Sequence, residues 1–343
     1  MKKGAFYIAF ATLVFSTMEI ALKFVSGQFD PIQMTFSRFF VGGLVLLPVA
    51  LKKIKEKGVK IDKSSFLYFT MLGFFGIFLF GTFYQLAISR IQSSVVAVTF
   101  SSNPVFVTLL AYLILREPIS KNQVAGLIFD IIGILIIINP FNTQLDAMGI
   151  IFVLLATFFF SLYAVLGKRE TKKYGGLVVT CFGFLIGAVE MMIVSALGNI
   201  PAIAELFTSI GLEKFANVPF LAGYTPANLP IMLYAYIGVT GLGFCAYFLS
   251  MEKTSAAETS LVFFFKPALA PVLALLILGE PIPMNMFIGI LLILAGSMVS
   301  IYPNLKKALK KQQNSERLSK TESLFCLHFY KKLLTNYDYC CSL

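Results

Sequence analysis

Histidine occurs once in the 343 residues, as His328 close to the C-terminus. No HExxH, GxSxG or matched carboxylate motif stands elsewhere in the chain to compensate. An intramembrane enzyme needs such a constellation, so an enzymatic role is not expected. A Walker A loop is also missing, which leaves an ion or substrate gradient as the energy source for any vectorial work. Charged residues make up only 13% against 58% hydrophobic, with mean hydropathy +0.84. That balance is far too apolar for an ordinary soluble domain and places the chain in a bilayer. Of the five cysteines, Cys181 and Cys245 fall in different apolar stretches and three lie in the tail, so no disulfide framework is indicated. Cys326, His328, Cys340 and Cys341 match no common zinc spacing, and the terminal CCSL lacks the aliphatic inner positions of a prenylation box. Neither a metal nor a cofactor is expected.

What is present is a succession of apolar runs near the roughly 20 residues that one helical crossing takes. Ten can be marked, at about 4–26, 31–51, 66–88, 93–115, 121–140, 146–167, 177–197, 230–250, 256–278 and 283–303. The runs are continuous, whereas barrel strands alternate polar and apolar over about ten residues, so an all-α polytopic membrane protein is expected. The first run follows Lys2 and Lys3 but is too long for a signal-peptide core and carries Glu19 and Lys23, so it reads as a retained helix. With the N-terminus inside, the cytoplasmic side receives 23 of the 28 basic residues, the cluster Lys52, Lys53, Lys55, Lys57, Lys60 and Lys63 among them. The outer loops hold only Arg90 and Lys214, and Lys23, Arg38 and Lys266 fall within helices. The positive-inside rule therefore puts both termini in the cytoplasm. The net charge of +11 reports topology and attraction to anionic lipid, and no nucleic-acid partner is expected.

The heptad LILREPI at 113–119 returns as LILGEPI at 276–282, changed only from Arg116 to Gly279. At the same offset of 163, Tyr84 meets Tyr247, Phe100 meets Phe263, Pro104 meets Pro267, Gly126 meets Gly289, Gly133 meets Gly296 and Pro140 meets Pro303. Near the start of each half the offset is 145, matching Phe15 to Phe160, Ser16 to Ser161 and Lys23 to Lys168. Two repeats follow, 1–145 and 146–303, with a tail over 304–343 that reads as disordered at least through 322. Each repeat holds five helices, an odd number, so the second enters the membrane from the opposite face. Inverted repeats are the architecture of alternating access.

Ten helices in two such repeats, with the twin Glu-Pro junctions and Pro104 and Pro267 in the preceding helices, resemble the EamA-type members of the drug/metabolite transporter superfamily. The resemblance covers about residues 4–303. It implies a secondary transporter, commonly an exporter of amino acids, metabolites or drugs, with a central cavity between the repeats and a small-molecule substrate.

The residues themselves point to the fourth and ninth helices. Pro104 deprives the Phe100 carbonyl of its partner and Pro267 that of Phe263, and a broken helix near the midplane is tolerable beside protein or a wet cavity. Candidate substrate-binding residues are Lys266 and Pro267, their counterparts Asn103 and Pro104, the matched Tyr84 and Tyr247, and Glu19 with Lys23. Glu19 and Lys23 have the spacing of a helix ion pair. Lys266 either meets an organic anion or pairs with Glu19, Asp130 or Glu190. Arg38 and Lys23 lie toward the outer ends of their helices, where snorkelling would suffice. Glu117 and Glu280 each precede a proline that opens the next helix, a capping position first and a gate second. Gly183 and Gly187 form a GxxxG, which marks close helix packing more often than dimerisation, so a homodimer is left open. Ile203, Leu206, Phe207 and Ile210 in the loop 198–229 have helical spacing and read as a spacer first, with an interfacial helix or a lid as the alternatives. Two other classes stay in view: a multidrug or organic-cation exporter using Glu19, and a non-transporting lipid-handling protein.

Overall fold

The computed structural model describes residues 2–138, 146–254, 259, 262–296 and 298–299. Among them the chain is all-helical, as it must be where lipid offers the backbone no hydrogen bonds. Seven helices are long and apolar enough to cross a membrane. They are α1 (Gly4–Phe24), α2 (Pro31–Lys57), α3 (Lys63–Arg90), α4 (Ser93–Leu115), α6 (Ala147–Tyr174), α7 (Gly176–Leu197) and α9 (Leu229–Lys253). Three more of the marked runs coincide with apolar helices, α5 (Lys121–Ile138), α10 (Val262–Leu278) and α11 (Met284–Gly296), and a short α8 (Pro201–Ser209) lies in the loop before α9. The expectation of ten spans is thus met in kind and not in count, since seven helices satisfy length and composition. The tail 304–343 lies outside the described residues.

Side-chain chemistry sets the ends. α2 and α6 run past their apolar cores to Lys57 and Tyr174, because Lys, Arg and Glu are good helix formers outside the lipid. They stop at Gly58 (φ 62°) and Gly175 (φ 91°). At the starts, Asp30, Asp62 and Asp146 accept backbone N–H groups of the first turn.

Irregularities inside the helices recur in register. π-Helical segments occupy Phe74–Leu79 within α3 and Tyr234–Gly243 within α9, and a shift of 163 carries the first into the second. α4 is interrupted at Ser101 and Ser102, just before Pro104. Their hydroxyls donate 2.7 Å bonds to the carbonyls of Ala97 and Thr99, the local competition with helix bonding that serine offers. Phe264 and Phe265 stand at the matching places in α10 and have no hydroxyl. There the helix continues through Pro267 and Pro271. The break expected at Pro267 is therefore absent, and only Pro104 sits at one. α1 has a break of its own, at Thr17.

The twin junctions share one cap geometry. Arg116 (φ 57°) and Gly279 (φ 68°) both take the left-handed conformation after their helices. In each, the next glutamate donates its N–H to an alanine carbonyl six residues back, Glu117 to Ala111 and Glu280 to Ala274.

Packing is closest where glycines meet. A β-carbon on Gly133 would stand 2.8 Å from the Gly289 carbonyl oxygen, and one on Gly296 would stand 2.7 Å from that of Gly126, so α5 and α11 touch backbone to backbone. The GxxxG of α7 is spent inside the chain, Gly187 against Gly73 of α3 and Gly183 beside Tyr163. At the centre, Phe160 of α6 meets the rings of Phe80, Phe100, Phe244 and Phe263 at centroid distances of 5.0–5.8 Å, tying α3, α4, α9 and α10 together. In the outer loop, Phe207 of α8 packs on the cluster of Ile32, Phe36, Met191, Phe215 and Val218, whereas Leu206 and Ile210 stay exposed.

A left-handed residue other than glycine costs about 1 kcal/mol. Arg116 is exposed and its junction needs no arginine side chain for the cap, so Arg116→Gly should stabilise the protein by about that amount. An unchanged or lowered unfolding temperature in detergent would show that the Arg116 side chain supplies stability the cap geometry does not reveal.

Candidate functional site

Glu19, two residues beyond the interruption of α1 at Thr17, is completely buried. Tyr84 of α3 donates its hydroxyl to Glu19 Oε1, and Lys266 Nζ of α10 forms an ion pair with the same oxygen. Lys266 is also completely buried and lies 4.8 Å from the centre of the Phe100 ring and 5.8 Å from that of Phe263. Aromatic faces partly replace the water a lysine would otherwise need. Glu19 Oε2 has no partner, and Lys266 Nζ reaches no further hydrogen-bond acceptor, among the described residues. Helices α1, α3, α4 and α10 thus converge on one charged centre. Of the two roles open to Lys266 in the sequence, the pair with Glu19 is the one formed.

Lys23 does not pair with Glu19. Its ammonium donates to the carbonyls of Ile88 (2.8 Å) and Ile91 (2.9 Å) at the C-terminal end of α3, where unpaired carbonyls and the helix dipole favour a cation. Tyr247 matches Tyr84 in position and not in bonding. It is buried against Phe160 and Phe263, and its hydroxyl has no partner among the described residues. The offset that aligns the first helices of the two halves puts Ala164 opposite Glu19, so the second half has no counterpart of that carboxylate to meet Tyr247. Asn103, the counterpart of Lys266, donates to Ser161 Oγ at 2.6 Å, and its own Oδ1 has no partner among the described residues.

Arg38 lies seven residues into α2, about 10 Å along the axis, and is completely buried, so of the inward and snorkelling positions open to it the inward one is taken. Its guanidinium carbon stands 4.4 Å from the Phe39 ring centre and 6.0 Å from that of Tyr84, and Nε, Nη1 and Nη2 all lack hydrogen-bond partners among the described residues. The signal was in the sequence: Asp30-Pro31 fixes the start of α2 and hence the depth of Arg38. Among the described residues Asp130 Oδ1 and both carboxylate oxygens of Glu190 are unpartnered as well, the latter beside an apolar groove lined by Met71, Phe74, Phe75, Phe78 and Ile193.

Both junction glutamates make contacts across the fold. Glu280 accepts the N–H and hydroxyl groups of Ser93 (3.0 and 2.9 Å) and Ser94 (2.9 and 2.7 Å). It therefore caps α4, not the helix that follows Pro281. Burial pushes its carboxyl up, and the bonds from Ser94 and Ser93 outweigh that and hold it below the usual carboxylate range. Glu280 also acts electrostatically on Lys23. Glu117 faces Lys168 Nζ at 3.7 Å. Cys181 and Cys245 are buried and free, no cluster able to hold a metal occurs among the described residues, and Cys326, His328, Cys340 and Cys341 lie outside them.

The profile of the EamA-like transporter family matches residues 2–139 and 147–302. The chain belongs to the EamA-like transporter family. An uncharacterized transporter of Clostridium kluyveri is 35% identical over 92% of this chain and 98% of its own length. The uncharacterized transporter YyaM of Bacillus subtilis is 24% identical over 85% of this chain and 91% of its own, and Protein PecM of Dickeya dadantii is 25% identical over 71% and 78%. A solved structure superposes with TM-score 0.63 over 88% of this chain and 96% of that one, at 17% identity, a likeness of fold alone. As an EamA-like transporter the chain is a membrane transporter and not an enzyme, so the buried centre is to be understood through binding and conformational change.

Removing one partner of a buried pair leaves an uncompensated charge and costs about 3–5 kcal/mol, whereas removing both is often neutral. Lys266→Met alone should therefore destabilise the transporter strongly, and Glu19→Gln/Lys266→Met should restore thermal unfolding close to wild type while keeping an acceptor for Tyr84. Additive losses in that double-mutant cycle would deny the pair.

Proposed function

We propose that this EamA-like transporter is a secondary active exporter of a small metabolite such as an amino acid, working by alternating access from the cell membrane with both termini cytoplasmic. The observation that carries the reading is the charged centre of Glu19, Lys266 and Tyr84, walled from water and built from helices distant in sequence. Intramembrane charges are expensive and are retained where they bind or move something. In this reading the ten apolar helices form two inverted five-helix repeats, 1–145 and 146–303. Four features support it. The helix caps at Arg116 and Gly279 share one geometry, and the π-helical segments fall in register. Gly126 and Gly133 touch each other's counterparts, Gly296 and Gly289, as the two sides of a pseudo-twofold contact would. The Glu-Pro junctions reach across in the same way, Glu280 to the start of α4 near Lys23, and Glu117 to Lys168, the counterpart of Lys23.

Those two junctions would serve as the closures on opposite faces. Opening one requires its glutamate to leave its partners while the other holds, which exposes the centre to a single side at a time. Asn103 and Tyr247, each with an unpartnered polar atom, complete the binding surface, and the break at Pro104 gives α4 a hinge. Lys23 and Pro267 belong to the outer closure and the helix frame. Because Lys266 already neutralises Glu19, the structure offers less to an organic cation than to a zwitterion or an anion.

Purified protein in liposomes tests the reading by counterflow of labelled amino acids, with a single Cys at Ala222 reporting the orientation of each molecule. Saturable exchange should appear in the wild type and vanish in the folded Glu19→Gln/Lys266→Met variant. No saturable exchange of any amino acid, or equal exchange by the double variant, would overturn the proposal.

A further inference from the structure

Among the described residues the buried centre holds two cations, Lys266 and Arg38, and one anion, Glu19, which pairs with Lys266 and acts on Arg38 only at a distance. Lys266 takes the carboxylate of Glu19, which also accepts from Tyr84. Arg38 lies within electrostatic reach of Glu19 and of Tyr84 and Tyr236, yet it hydrogen-bonds none of them. One positive charge is left over, on a side chain with 0% exposure and none of its nitrogens engaged among the described residues.

A guanidinium carries five donors in a planar fork and cannot discharge itself by losing a proton. Left unpartnered in a dry interior it is a standing loss, since removing water from an ion costs several kcal/mol unless partners replace it. The ring of Phe39 beneath it and that of Tyr84 recover part of this, but aromatic faces leave the donors at the rim of the guanidinium empty. The group that fits five in-plane donors and one excess positive charge is a carboxylate, bound in two parallel hydrogen bonds. α2 presents no such group to Arg38 itself: Glu56, its one acid, lies in the last turn and pairs with Lys52.

We propose that Arg38 is the recognition site for the carboxylate of the transported molecule, which makes the substrate class a small organic carboxylate, amino acids included. The inference rests on the transport reading above and adds the group that the substrate must carry. It also assigns the two cations different tasks. Lys266 holds Glu19 in place, and Arg38 is free for the ligand. A substrate bound there would lie beside Tyr84, so its arrival is felt by the Glu19 pair through a shared neighbour. Lysine in place of Arg38 would supply the charge without the fork, and methionine would supply neither.

The test uses the purified full-length protein in detergent, with thermal unfolding measured against labelled-grade amino acids and simple monocarboxylates, each paired with its primary amide. In the wild type at least one carboxylate should raise the unfolding temperature while its amide does not. Arg38→Met should unfold at a higher temperature than wild type without ligand, because an unpaired buried charge has been removed, and should lose the carboxylate-induced shift. Arg38→Lys should keep part of that shift, with apparent affinity weakened by about tenfold or more. Equal shifts with acid and amide, a full carboxylate shift in Arg38→Met, or no carboxylate shift in the wild type would each overturn the proposal. A lowered unfolding temperature in ligand-free Arg38→Met would also count against it, since that is the mark of an arginine whose task is packing on Phe39. Counterflow separates the two readings. Carboxylate binding without flux would remove transport and keep the Arg38 site, whereas flux undiminished in Arg38→Met would remove the site and keep transport.

Discussion

A carboxylate and an ammonium can share a water-free interior only if each is held where the other needs it, and the structure around Glu19 and Lys266 follows from that requirement. The pair joins α1 to α10, helices from opposite ends of the chain, and Tyr84 adds α3 through the same oxygen. Around it the aromatic cluster centred on Phe160 excludes water, which strengthens the pair and raises the cost of breaking it. Two break points border this centre, Thr17 in α1 and Ser101–Ser102 in α4. They give the helices that carry or flank the charges places to bend without tearing a regular hydrogen-bond ladder.

The two halves agree in backbone and differ in chemistry. Caps, π-helical segments and glycine contacts recur at matching positions, and yet Ser-Ser-Asn-Pro in one half stands against Phe-Phe-Lys-Pro in the other. Serine hydroxyls take over helix carbonyls and let α4 break. Phenylalanines cannot, so α10 runs on and carries a lysine in the asparagine's place. Glu19 in the first half faces Ala164 in the second by the same alignment. In the alternating-access reading proposed above, duplication would supply the symmetric frame for an exchange of conformations, and substitution within the frame would supply a single site.

How much of this was legible in the sequence depends on the range of the interaction. Hydropathy located the helices, because each apolar run answers to the thickness of the membrane alone. The likeness of LILREPI to LILGEPI needs no fold to be seen, since each is a continuous stretch of seven residues. Partner choice was not legible. Lys23 stands at ideal spacing from Glu19, but helix spacing says nothing of Lys266, brought in from 247 positions away, or of the carbonyls of Ile88 and Ile91 that Lys23 prefers. The apparent equivalence of Tyr84 and Tyr247 hid a difference in neighbours that the same alignment, read once more at Ala164, contains. Glu280 stands at a capping position for the helix after Pro281, and only the fold shows that its carboxylate turns instead to the start of α4.

The most direct test of the account is the charge state of Glu19 in the resting protein, read by infrared difference spectroscopy between the wild type and Glu19→Gln at neutral pH. The account requires the difference to show the loss of an ionised carboxylate band, since only an ionised Glu19 pairs with a charged Lys266 while accepting from Tyr84. Loss of a protonated acid carbonyl band instead would mean that the centre holds a neutral acid, and the ion pair on which the rest depends would not exist.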